Sequence, residues 1–128
     1  MNNDNRRKHP HGCDLTVQAS GLIVFRSRPT RALRLKQGDH IDFCCLQGQL
    51  YVYKTDTCEG LCVYGRHSQY HTHSAKVARS VLACVKGMPA HADKADLICP
   101  GVRELISLHG VPQEAVVVIN RYIAYDKV

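Results

Sequence analysis

The chain reads as mostly β with a helical element in its second half, an α+β arrangement, and three stretches carry that reading. Ile41, Phe43 and Cys45 alternate with His40, Asp42 and Cys44, and after Gln47-Gly48 the run Leu50-Tyr51-Val52-Tyr53-Lys54 returns. A period of two followed by a turn dipeptide and a second β-rich run is the signature of a hairpin with one buried face. Ala115 to Ile119 is an unbroken apolar run in which four of five residues are β-branched, which predicts a buried strand. Between these, Val77, Val81, Cys84 and Val85 share one face at 3.6 residues per turn, which predicts a helix over 75–85.

The remaining elements follow in chain order. Residues 1–13 are polar, basic and broken by Pro and Gly, and are expected to be a mobile basic tail. Strands are expected at 15–18 and 22–25, joined by a turn at Ala19-Ser20-Gly21. Pro29 suits the first position of a short helix running to Leu35, with Leu33 and Leu35 toward the core. Gly38-Asp39 ends that element and the 40–54 hairpin begins. Residues 55–60 are a polar connector and 61–64 a short strand, whereas 65–73 show no clear period. Ser74 is the expected N-cap of the 75–85 helix, Lys86 lies in its last turn, and Gly87 stands just beyond. After a loop over 88–94, residues 95–99 read as a strand stopped by Pro100-Gly101. Residues 102–109 fit a short helix and a strand equally well. No internal repeat of a recognised period is present.

The totals narrow the class. A chain of 128 residues with 45% hydrophobic content is large enough for one ordinary domain or two very small ones, and too apolar for disorder. No apolar run approaches the roughly 20 residues that cross a bilayer. Arg6, Arg7 and Lys8 imitate the start of an export signal, but His-Pro-His-Gly-Cys-Asp follows, and Asp14, Gln18 and Ser20 interrupt any apolar stretch. A cytoplasmic location is therefore expected, with seven reduced thiols, an odd count that argues against a complete disulfide framework.

The charge is unevenly placed. Residues 1–36 hold eight basic residues against two acidic ones, whereas 37–128 carry nine of each, so the net +6 lies wholly before residue 37. A clustered cationic field attracts polyanions such as nucleic acid; the plainer alternative is a solvated surface that aids solubility.

Residues 20–54 resemble the AbrB-type swapped-hairpin family, which includes AbrB-like regulators and MazE-type antitoxins. The resemblance rests on Gly21-Leu22-Ile23-Val24-Phe25, then Pro29-Thr30-Arg31-Ala32-Leu33, then Leu35-Lys36-Gln37-Gly38-Asp39, then the hairpin His40-Ile41-Asp42-Phe43 and Leu50-Tyr51-Val52-Tyr53-Lys54. It implies a swapped-hairpin β-barrel over 14–56, a homodimer, and DNA contacts by Arg26, Arg28, Arg31, Arg34 and Lys36, with Arg6, Arg7 and Lys8 adding salt-sensitive affinity. The sequence departs from the family's pattern: Leu22 stands where the family carries Arg, Arg26 where it carries Pro, and Thr30 precedes a single Arg31 where it has two arginines. These changes touch the DNA-facing positions more than the core. Residues 61–128 lie outside the resemblance and form an α+β extension of unassigned role. Their charge balance and apolar content argue against the acidic, partly disordered tail of an antitoxin.

Rival constellations point elsewhere. Cys58-x3-Cys62-x4-His67-x3-His71 supplies four ligands that can hold zinc tetrahedrally, a spacing similar to a zinc knuckle but unlike a ββα finger. Its plainer alternative is Cys62 packed in a strand with the histidines on a loop. His9, His11 and Cys13 offer adventitious chelation. Cys58 or Cys62 beside a histidine resembles a nucleophile pair, yet nothing activates either thiol, so no enzyme is expected. Tyr51, Tyr53, Tyr64 and Tyr70 can stack on exposed bases or pack across strands. The combined expectation is a homodimer that binds duplex DNA, sequence-dependently or not, in transcription regulation, with no resident cofactor, membrane or small-molecule substrate. The alternative is a protein–protein or zinc-binding module without DNA binding.

Overall fold

The computed structural model describes residues 13–56 and 60–124. Its elements are β1 (Leu15–Gln18), β2 (Leu22–Phe25), α1 (Ser27–Leu33), β3 (His40–Leu46), β4 (Gln49–Thr55), β5 (Leu61–Cys62), β6 (Tyr64–Arg66), β7 (Gln69–His73), α2 (Ala75–Ala83), β8 (Lys94–Leu97), β9 (Arg103–Leu108) and β10 (Val111–Val118). The described strands form two antiparallel five-stranded sheets, in the orders β6-β7-β2-β1-β8 and β5-β3-β4-β10-β9. The mostly β expectation is met.

Alternation along each strand decides which residues meet between the sheets. Leu15, Val17, Ile23, Phe25 and Leu97 from the first sheet meet Ile41, Leu50, Val52, Val116 and Val118 from the second in one core, and Phe25 and Phe43 stack across it with ring centroids 6.1 Å apart. Burial of each such side chain contributes roughly 1.5–3 kcal/mol. Helix α2 packs against β1 and β2 and adds Ala78 and Val81, with Val85 just past its end. Two corners tie the sheets together. At Val63 the chain passes from β5 in one sheet to β6 in the other, with Val63 N–H donating to Asp39 O at 2.8 Å, and Ile98 bridges to Ile119 beside β8 and β10.

The described strands make two sheets and no closed barrel. The β3–β4 hairpin finds its flanking strands, β5 and β10, in its own chain, and β1 and β2 find β8 and β7. Strands from either side of residues 57–59 thus share both sheets.

Local expectations fare unevenly. Ser74 caps α2, its Oγ accepting from Val77 N–H at 3.2 Å, but the helix ends at Ala83 and Lys86 lies beyond it, bridged to Arg121. Helix α1 starts at Ser27, which puts Pro29 at its third position; the first-turn amides lack helical acceptors anyway, so the proline is equally tolerated there. Residues 65–73, without visible period, contain the β6–β7 hairpin, because its inward positions are Tyr70 and the polar Thr72, whose hydroxyl donates to Cys62 O at 2.8 Å. Residues 102–109 contain a strand, β9, an edge strand whose Leu105 is exposed, so its pattern is blurred.

Candidate functional site

Arg26, half-buried, and Arg28, at the surface, the first two expected DNA contacts, are both engaged by side chains of the fold. Asp14 precedes β1 and is 5% exposed. Arg28 clasps its carboxylate with Nε at 3.1 Å and a terminal nitrogen at 2.7 Å, while Cys99 N–H donates to the same carboxylate at 2.7 Å. Beside this pair, Arg26 donates to Thr16 Oγ1 at 2.7 Å and to Cys13 Sγ at 3.7 Å, and Thr16 Oγ1 donates to Asp96. Asp14 and Asp96 are buried carboxylates, and buried charges persist where they are paired. Arg28 meets that requirement for Asp14, while Asp96 accepts from Thr16, on which Arg26 also sits, so the cluster ties β1 and β8 to the start of α1.

The thiols of this cluster are protonated. Burial, and after it the Asp96 carboxylate, pushes Cys13 up to about 11. Burial pushes Cys99 up to about 12. Neither is an activated nucleophile, since reactivity needs the thiolate.

Arg31, Arg34 and Lys36 are exposed. They stand at the C-terminal end of α1, where Arg34 adopts the left-handed conformation (φ 54°) and Leu35 N–H closes the helix by donating to Thr30 O at 3.0 Å. The corner read from Gly38-Asp39 follows. Gly38 has φ 89°, and Asp39 Oδ2 accepts from Lys36 N–H at 2.8 Å.

This end of α1 forms one wall of a cleft of about 270 Å³. The opposite wall is the inward face of β4, β10 and β9, and Arg34, Lys54, Arg103, Gln113 and Glu114 line the cavity. Lys54 Nζ lies 3.1 Å from Arg34 O and 3.3 Å from Asp39 Oδ2, so the ammonium also completes the helix terminus. Arg103 lies 3.8 Å from Glu114, a half-exposed pair with little hold on either partner. Lys54 and Arg103 were not among the expected contacts. They are 49 residues apart in the sequence, and only the β4–β10–β9 pairing brings them to one wall.

The zinc constellation is dispersed where it is described. Cys62 lies in β5 of the second sheet, His67 is exposed in the β6–β7 turn, and His71 lies exposed on β7 of the first sheet, its ring 6.3 Å from that of Tyr64. Among the described residues no three His, Cys, Asp or Glu side chains form a group able to hold a metal ion. Cys58 lies outside the described residues, as do Arg6, Arg7 and Lys8. Of the four tyrosines, Tyr51 and Tyr70 are buried and Tyr64 is exposed. Tyr51 donates to Glu104 Oε1 at 2.8 Å, and that hydrogen bond raises its pKa.

No protein-family model, curated protein or solved structure matches the chain.

Proposed function

We propose that the protein binds duplex DNA through phosphate contacts made by Arg31, Arg34 and Lys36 at the end of α1, extended by Arg103 across the adjoining cleft. The observation that carries this reading is the exposure of Arg31, Arg34 and Lys36 at the end of α1, with Arg34 and Arg103 on facing walls of one cleft, in a chain whose charge excess lies entirely before residue 37. Guanidinium groups match phosphate oxygens with paired donors, and each phosphate neutralised releases condensed counterions. Arg26 and Arg28 are left out of the contact set because they serve Asp14, Thr16 and Cys13. Hairpin exchange is not needed for this binding mode, since β3 and β4 have flanking strands within one chain. A role in transcription regulation and a homodimeric state belong to the same proposal.

The test is anisotropy of a fluorescein-labelled duplex with the full chain, titrated over salt. Affinity should fall steeply with salt, with a log–log slope of about −0.9 per phosphate contacted. The triple variant Arg31→Ala/Arg34→Ala/Lys36→Ala should stay folded by circular dichroism, bind at least tenfold more weakly, and lose up to about three contacts' worth of slope. Unchanged binding by that variant, or no binding by the parent at low salt, overturns the proposal. Light scattering on the same samples reads the oligomeric state.

A further inference from the structure

We propose that Cys45 and Cys84 form a thiol–disulfide exchange site, oxidised by a low-molecular-weight disulfide such as oxidised glutathione, whose closure ties the end of α2 to β3. The inference stands independently of nucleic-acid binding.

Three observations converge. First, both thiols line one pocket of about 240 Å³ between β3 and α2, whose remaining wall includes Phe43, Leu50, Val77 and Val81. Cys45 shares the core-facing side of β3 with Ile41 and Phe43, yet it is exposed, because it sits near the strand's end where the sandwich opens. Cys84 is half-buried and caps α2. Second, Cys45 is the neighbour that, after burial, acts on the Cys84 thiol, so the two side chains lie beside each other on that pocket wall. Third, an unrelated side chain fixes the two elements against each other. Asn120, 7% exposed, donates from Nδ2 to Cys84 O at 2.6 Å and to Gly48 O at 3.2 Å in the turn that follows β3. The end of α2 and the end of β3 are thus held in register, and ring closure starts from an ordered arrangement.

The chemistry divides between the two residues by exposure. The Cys45 thiolate attacks one sulfur of the small disulfide, forming a mixed disulfide and releasing one small thiolate. Cys84 then loses its proton and attacks Cys45 Sγ. The protein disulfide forms and the second small thiol leaves. The protein loses two electrons and two protons, and the small disulfide is reduced to two thiols. Cys84 takes the second role because it is the less exposed of the two thiols; burial, and after it Cys45, pushes it up to about 11, so its thiolate is scarce at neutral pH and closure should speed up as pH rises. Cys44 also borders this pocket, but it alternates with Cys45 along β3 and packs in the cluster with Tyr51, which leaves it out of the exchange. The plain alternative is two small side chains filling space, which predicts no second step.

Incubating the reduced full chain with oxidised glutathione under nitrogen separates the two. The expected product has lost two hydrogens by intact mass and carries a Cys45–Cys84 link in a non-reducing peptide map. Cys44→Ser should close as the parent does, which distinguishes Cys45 from its neighbour. Cys84→Ser should stop at one bound glutathione, and Cys84→Ala replaces it if serine unfolds the chain. Accumulation of a stable mixed disulfide at Cys45 in the parent, a link that avoids Cys84, or no reaction at Cys45 overturns the proposal.

Discussion

Replacing Asp14 by alanine asks whether the buried charge cluster holds β1 to its neighbours. The carboxylate accepts two hydrogen bonds from Arg28 and one from Cys99 N–H. Alanine leaves the Cys99 amide buried without that acceptor, at a cost of about 1–3 kcal/mol. The guanidinium also loses its partner, but its side chain is 42% exposed and turns to water, so that loss adds only about 1 kcal/mol. The sum is about 3 kcal/mol, which for a chain of this size lowers Tm by roughly 10 °C. Asp14→Asn keeps an acceptor for the Cys99 amide and should cost about half as much. Arg28→Ala strands a carboxylate whose side chain is 7% exposed, and should cost about 2 kcal/mol. Arg31→Ala, on the open face of the same helix, should stay within about 0.5 kcal/mol of the parent. Urea unfolding followed by far-ultraviolet circular dichroism at pH 7 measures all four. An Asp14→Ala midpoint indistinguishable from the parent, or an Arg31→Ala loss equal to that of Arg28→Ala, would refute the assignment of Arg28 to the fold.

Stability should fall above about pH 9, because unfolded thiols ionise there while Cys13 and Cys99 remain protonated up to about 11 and 12. Folded pKa values above the unfolded value give stability that is complete below pH 9 and lost as pH rises, by up to about 1.4 kcal/mol per pH unit for each thiol; unfolding curves at pH 8 and 10.5 should show the drop, and Cys99→Ala should reduce it. Gly65→Ala should cost about 2 kcal/mol or more, since φ is 144° and a Cβ would run into the Gln69 backbone carbonyl and Tyr70 Cα. A thermal melt unchanged by that substitution would mean that the β6–β7 hairpin is not built as described.

What the sequence discloses here depends on how far each signal reaches along the chain. The 40–54 hairpin was legible because alternation, the turn dipeptide and the return run lie within fifteen residues, and Gln47 and Gly48 both take the positive φ that a tight hairpin turn demands. Ser74 was legible as a cap for the same reason, its oxygen reaching only three residues ahead. The β6–β7 hairpin was not legible, since its inward positions hold Tyr70 and Thr72 and only the second sheet, through Cys62 O, satisfies the latter. Nor was the pairing of β1 with β8, which joins residues some eighty positions apart. The cleft had the same fate. On its helix wall only Arg34 comes from the cationic stretch that the sequence displays, whereas Lys54 and Arg103 meet it only after β10 has paired with β4 and β9.

The five basic residues from Arg26 to Lys36 show why composition alone cannot assign a surface. All share one short stretch, and their charge is the same. What separates them is whether a buried carboxylate or hydroxyl stands within reach once the sheet has formed. Arg28 reaches Asp14, fourteen residues earlier, and Arg26 reaches Thr16, whose own hydroxyl is committed to Asp96 eighty residues later. Arg28 is therefore held by a buried acid and Arg26 by the hydroxyl bonded to another, and moving Arg28 to DNA would leave Asp14 short of donors in a low-dielectric site. Among the described residues, no buried carboxylate or hydroxyl makes such a claim on Arg31, Arg34 or Lys36. Arg31→Ala, Arg34→Ala and Lys36→Ala thus leave the buried cluster intact, while Arg28→Ala acts on the fold, and only the first set can test the DNA proposal.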